Sequence, residues 1–268
     1  MTERSRHRDE KHMLDTILIN AIGLLGLLHL AAPIALHRTF RFAARCRANL
    51  VTKTELPLAA AERILPVVPQ LEALGFEFLG CYDFGEVSAF TRKIVGYSCN
   101  RDTNDFANLT VSCTPGATDS YLEFSTNFSK GRTLETNNNG VIPLTPDAEP
   151  TQVFRLPEIR EPRELYRLHR LLIEKHAGGD WAVPEIKGQE ILRLVRTFEN
   201  YGPRHGKLGY MKLSHDGESY ELTWKGAALM AWRGMLPTVL FRQYLSRRGM
   251  RAELRSLELR GVATLQKA

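Results

Sequence analysis

Cysteine is scarce in this chain. Four residues in 268 are far too few to staple a fold that lacked its own core. Catalytic signatures are missing too. There is no phosphate-binding glycine loop, no dinucleotide-binding glycine turn, no HExxH helix, no nucleophile elbow and no paired CxxC, so no motif points to a reaction class. Glycine (20) and proline (13) are too few for a collagen-like or low-complexity chain. What remains is ordinary globular composition, 43% hydrophobic and 25% charged, in a chain long enough for a sizeable core.

The net charge of +6 hides an uneven layout. Residues 1–50 carry 8 Lys/Arg against 4 Asp/Glu, residues 51–153 carry 7 against 13, and residues 154–268 carry 21 against 13. An acidic middle separates two basic ends. The basic end is compatible with nucleic acid or with an anionic membrane surface, and charge alone does not choose between them.

Only one long apolar run is present. Ile17 to Leu36 reads ILINAIGLLGLLHLAAPIAL, 20 residues without Asp, Glu, Lys or Arg. At 1.5 Å per residue a helix of this length spans roughly 30 Å, the thickness of bilayer hydrocarbon. The expected anchor runs over 17–36, with Ile17, Leu24, Leu28 and Leu36 facing lipid. A cleaved signal peptide and a buried core helix are the competing readings. The run is longer than a signal's apolar region, and Arg38, Arg41, Arg45 and Arg47 follow it at once. Those four arginines are expected at the membrane surface, with residues 37–56 a basic juxtamembrane segment. A basic tail, of cytosolic type, precedes the anchor over 1–16. Its Arg4, Arg6, Arg8 and Lys11 nearly balance the far flank under the positive-inside rule. Most of the chain is expected on the cytoplasmic side, because its cysteines have no disulfide-framework spacing.

The fold class expected is α+β. After the anchor comes a small antiparallel sheet module with a helix, over 57–140. Its helical period, through Ile64, Val67, Val68, Leu71 and Leu74, is interrupted by Pro66 and Pro69, which predicts two short helices. Strands are predicted at 76–82, 87–98, 108–113, 121–128 and 132–136. The last two alternate most clearly: Leu122, Phe124, Thr126 and Phe128 against Glu123, Ser125 and Asn127, then a turn at Ser129-Lys130-Gly131. One face of this sheet is expected to be wet. Asp102, Asp105, Asp119 and Glu123 do not have EF-hand spacing and read as loop acids on a solvated edge. Thr126–Asn127 and Thr136–Asn137, at the ends of the hairpin, read as a solvent-facing polar strand or the lining of a polar site. A proline-rich linker is expected over 141–160.

A mainly helical basic module follows over 161–268. Helices are predicted over 161–176 and 186–201, then a hairpin around Asp216-Gly217. The histidines have no metal-ligand spacing, and no metal or cofactor is expected. Two helices, a hairpin and the run YELTWKG (220–226) resemble the wing end of bacterial winged-helix regulators of the MarR and PadR kind. That resemblance implies a winged-helix-like fold with 186–201 as the groove-entering helix. Its Lys187, Arg193 and Arg196 are interleaved with Glu185, Glu190 and Glu199, which argues against nucleic acid as the partner. The region 226–248 is apolar but divided by Pro237, with Arg233 inside it. It is expected either to lie along the interface, with Trp232 at headgroup level and Arg242, Arg247 and Arg248 reaching headgroups, or to pack in the core.

The functional expectation is a membrane-anchored, non-catalytic binding or scaffold protein of unknown ligand. Its partner is the bilayer, with anionic headgroups and an unidentified protein as further candidates. The alternatives are a membrane-tethered winged-helix-like DNA-binding regulator and an enzyme without a recognisable motif. A deep cavity with convergent titratable side chains would favour the enzyme.

Overall fold

The computed structural model describes residues 3–88, 91–141, 143–147 and 150–265. In chain order the elements are α1 (Glu3–Thr39), β1 (Arg41–Ala43), β2 (Asn49–Val51), α2 (Leu58–Ile64), α3 (Val68–Glu72), β3 (Glu77–Ser88), β4 (Thr91–Asn100), β5 (Asp105–Thr114), β6 (Ala117–Asn127), β7 (Thr133–Asn137), β8 (Thr151–Arg155), α4 (Pro162–His176), α5 (Glu190–Glu199), α6 (Tyr201–Lys207), β9 (Met211–Leu213), β10 (Ser219–Leu222), α7 (Trp224–Gly234) and α8 (Thr238–Leu265).

The architecture is α+β, built on one large mixed sheet. Strand order is β8-β7-β6-β5-β4-β3-β1-β10-β9, with β2 also paired to β3. The expectation of a small antiparallel sheet is thereby corrected in size and in strand direction. Pairing of β7 with β8 is parallel, and β8 lies inside the stretch expected to be a linker. The hairpin β9–β10 extends the same sheet through β1, where Phe42 faces Tyr220 on one side and Ser88 on the other. It does not stand apart as a wing.

Period-2 alternation assigns the two faces. Ile94, Leu109, Val111, Leu122, Phe124 and Leu134 point to one side and form the main core with α2, α3 and α4. Helix α4 starts on Pro162, whose fixed φ suits a first helical position, and buries Leu165, Leu168 and Leu172. Gly96 lets α2 settle on the sheet, since a Cβ there would stand 2.7 Å from Ile64 Cγ2. The far end of α8 closes this layer with Met250, Leu254 and Leu257. On the opposite face α5 lays Ile191, Leu194 and Phe198 against Phe84, Val95, Tyr97 and Phe106.

Among the described residues one helix is long and apolar enough to cross a membrane, over Asp15–Thr39. It runs through Pro33 without ending there. The basic tail expected over 1–16 falls largely on residues whose side chains lie outside the described ones; its backbone is helical from Glu3.

Candidate functional site

The sheet face under α5 and α6 is a cavity of about 470 Å³. Cross-strand register builds its floor. Asn108, Glu123, Asn137 and Arg155 form one row across β5 to β8. Val95, Thr110 and Tyr121 form the next. Glu135 sits one pleat along β7 from Asn137, diagonal to Glu123. Lys93 lines the same cavity from β4. The roof comes from distant sequence: Leu194, Thr197 and Phe198 of α5, Tyr201 and Arg204 of α6, and the segment 143–147. Tyr201 Oη meets Thr145 Oγ1 at 3.0 Å, and Arg155 donates twice to Asp147, at 2.9 and 2.6 Å.

The floor brings Glu123, Glu135 and Lys93, each half-buried, into one cavity with Tyr121 and Arg155. Asn108 Nδ2 donates to Glu123 Oε1 (3.3 Å) and Asn137 Nδ2 to Glu123 Oε2 (3.2 Å). Both bonds favour the carboxylate, yet burial outweighs them and pushes the Glu123 pKa up. Glu135 is pushed up further, by burial first and then by the Glu123 charge. Burial depresses the Lys93 ammonium, against the opposing pull of Glu123. Its Nζ stands 5.4 Å from the centre of the Phe198 ring. Asn108 Oδ1 is buried here and has no hydrogen-bond partner among the described residues. A buried acceptor left unpaired is rare because it costs stability. Chemically the cavity offers amides, hydroxyls, a pair of carboxyls whose pKa values are pushed up, an ammonium and guanidiniums, between aromatic walls.

A second polar cluster lies within the core on the α4 side. Asp105, fully buried, accepts from Tyr166 Oη (2.9 Å), Arg170 Nη1 (2.9 Å) and the Thr126 hydroxyl. His169 Nε2 meets Thr126 Oγ1 at 2.9 Å and its Nδ1 meets Thr136 Oγ1 at 3.0 Å. The Thr126 hydrogen is committed to Asp105, so Nε2 carries the imidazole proton and Nδ1 accepts from Thr136. Burial lowers the His169 pKa to about 4 and, with Asp105, raises Tyr166 to about 12. This network pins α4 to the sheet, and none of its residues lines the cavity under α5 and α6.

Of the acids expected on a solvated edge, Asp105 is core and Glu123 floors the cavity; Asp119 is exposed on β6. The two Thr–Asn pairs divide: Thr126 and Thr136 face His169, while Asn137 faces the cavity. Lys93, Tyr121, Glu135 and Arg155 carried no motif. Arg193, expected on a groove-entering helix, lies 3.7 Å over the Phe106 ring and pairs with Glu185 at 3.2 Å.

The expected membrane residues fall as follows. Ile17, Leu24 and Leu28 are exposed on α1, while Leu36 packs against Tyr210, Met211 and Leu222. Arg38, Arg45 and Arg47 are exposed, and Arg41 pairs with Glu221 at 3.2 Å within the sheet. Trp232 is exposed beside His29. Arg242 donates to Pro143 O at 3.0 Å; Arg247 and Arg248 are exposed on α8. Among the described residues no cluster of His, Cys, Asp and Glu has the makings of a metal site.

Comparison with protein-family models, with curated proteins and with solved structures finds no match. The functional reading therefore rests on this geometry.

Proposed function

We propose that this is a membrane-anchored binding protein whose ligand, a small molecule bearing hydroxyl or amide groups, is held in the cavity between the sheet and α5–α6. The observation that carries this is the floor that gathers Asn108, Glu123, Glu135 and Lys93 beneath Phe198 and Tyr201. A neutral ligand with hydroxyl or amide groups meets these polar side chains without burying another net charge, and the two aromatic rings provide apolar walls. Helix α1 fixes the protein to the bilayer, and free cysteines favour a cytoplasmic position for the folded part. The regulator reading draws no support from this arrangement, because α5 turns its apolar stripe and Arg193 inward.

The test is a thermal-shift screen of the full-length protein in lipid nanodiscs against monosaccharides, polyols and free amino acids. A stabilising hit lost in Asn108→Leu and Glu123→Gln supports the reading. Hits unaffected by both substitutions place binding elsewhere.

The Glu135 carboxyl, pushed up by burial and by the Glu123 charge, favours one second reading, acid–base catalysis, since a carboxyl that keeps its proton above the ordinary carboxylate range is what a general acid requires. Turnover of a bound hit, abolished in Glu135→Gln with binding retained, separates it from binding alone.

A further inference from the structure

Helix α7 returns along α1 in the opposite direction. His37 stacks on Trp224 with ring centroids 4.0 Å apart, and His29 meets Trp232 edge-on at 6.3 Å. Eight residues forward on α7 thus match eight residues back on α1, roughly 12 Å along each axis. The tip of α7 lies beside the apolar stretch of α1, not beside the folded end. Beyond it the chain turns at Met235–Pro237 into α8. At this elbow Leu236, Leu240, Phe241 and Tyr244 are exposed, Phe241 to 61%. Arginines 247, 248 and 251 follow on α8, all exposed. They lie roughly 10–15 Å further along the helix from Phe241.

We propose that the α7–α8 elbow embeds in the same leaflet that α1 enters, with Leu236, Leu240 and Phe241 among acyl chains and Arg247, Arg248 and Arg251 on the phosphates of anionic lipids. The proposal rests on α1 spanning the bilayer. Continuity with the anchor selects lipid as the occupant: a patch held against the apolar stretch of a spanning helix is at membrane depth. Arg233 and Arg242 flank the elbow but are turned onto the carbonyls of Leu144, Arg233 and Pro143; beyond them Arg247, Arg248 and Arg251 are exposed where headgroups stand. Trp224, stacked on His37 where the apolar stretch ends, fits the preference of indole for the boundary.

The test places one tryptophan at a time in full-length protein reconstituted into phosphatidylcholine vesicles, with or without phosphatidylglycerol, using chain-brominated lipid as quencher. In a background with the other native tryptophans replaced by Phe, Leu28→Trp reports the anchor and Phe241→Trp the elbow. Native Trp181 hydrogen-bonds Ser129 next to the β6–β7 turn, at the strand end away from Ser88 and β1, and serves as the remote reference. Both substituted positions are exposed, so neither disturbs packing. The expected result is loss of emission at Leu28→Trp and Phe241→Trp with Trp181 spared. Quenching at Leu28→Trp with Phe241→Trp as bright as Trp181 overturns the proposal and leaves the anchor standing. A bright Leu28→Trp removes the anchor and the proposal together. With Arg247, Arg248 and Arg251 changed to Gln, the extra quenching of Phe241→Trp in anionic over neutral vesicles should vanish. If it persists, these arginines do not hold the headgroups.

Discussion

His169 Nε2 lies 3.9 Å from Asp105 Oδ1, and the Thr126 hydroxyl bridges them inside the core. Every polar atom of the imidazole is used in its neutral form, so protonation breaks the relay from Thr136 to Asp105. The unfolded chain takes up this proton from about 6.5 downward, while the folded protein resists until about 4. Stability from this site is therefore complete above pH 6.5 and is lost as pH falls to 4. At about 1.4 kcal/mol per pKa unit the loss is roughly 3 kcal/mol. Denaturant titration of wild type and His169→Gln at pH 7 and pH 4.5 checks it. The variant should start less stable and lose less on acidification. Parallel losses in the two proteins would show that His169 is hydrated.

Much of the sheet was legible because its signals are local. Leu122, Phe124 and Thr126 alternate against Glu123 and Ser125, and Gly131 turns the chain, so β6 and β7 are readable within fifteen residues. The joint between β1 and β10 is not. Each strand is three or four residues long, and their partners are 180 positions apart in sequence, so no window contains the pairing. The candidate site failed to show for a related reason. Tyr121, Glu123 and Glu135 have the pattern of a wet sheet face, and alternation alone cannot tell water from a roof supplied by residues 143–147 and 190–207.

Packing of α7 should be intolerant of one added carbon. A Cβ at Gly226 would stand 2.0 Å from Tyr210 O, a backbone atom that cannot yield alone. The neighbouring cap holds the helix at that distance: Thr223 Oγ1 accepts from Gly226 N at 2.9 Å and donates to Gly209 O at 2.7 Å. Gly226→Ala is expected to cost at least about 1–3 kcal/mol by overpacking, and Thr223→Ala about 1 kcal/mol by loss of the cap. Chemical denaturation of both variants measures this. A Gly226→Ala protein as stable as wild type would mean that α7 moves freely off β9.

Membrane attachment should behave as that of a spanning helix. Full-length protein should sediment with membranes and stay there through carbonate and high salt, because about 20 apolar residues suffice to cross. Replacing Leu24 and Leu28 by Arg, each costly at mid-bilayer by at least roughly 2.5 kcal/mol, should release a substantial fraction to the supernatant. Wild-type protein that is freely soluble without detergent would make α1 a helix that packs on protein.

Glu123 and Glu135 face one cavity from adjacent strands, and each makes the other harder to ionise. The folded protein holds the Glu135 proton more tightly than the unfolded chain does. The stability this confers is fully present below the ordinary value of 4.5 and is lost as pH rises towards the elevated folded value. Glu135→Gln keeps the shape and removes the charge, so it should raise Tm at pH 7.5 and change it little near pH 4. In Glu123→Gln the gain from the second substitution should shrink, since the repelling neighbour is already neutral. The double-mutant cycle thus gives a coupling at pH 7.5 that disappears in acid. Equal gains at both pH values would trace the effect to packing, and the carboxyl pair would then be solvated and independent.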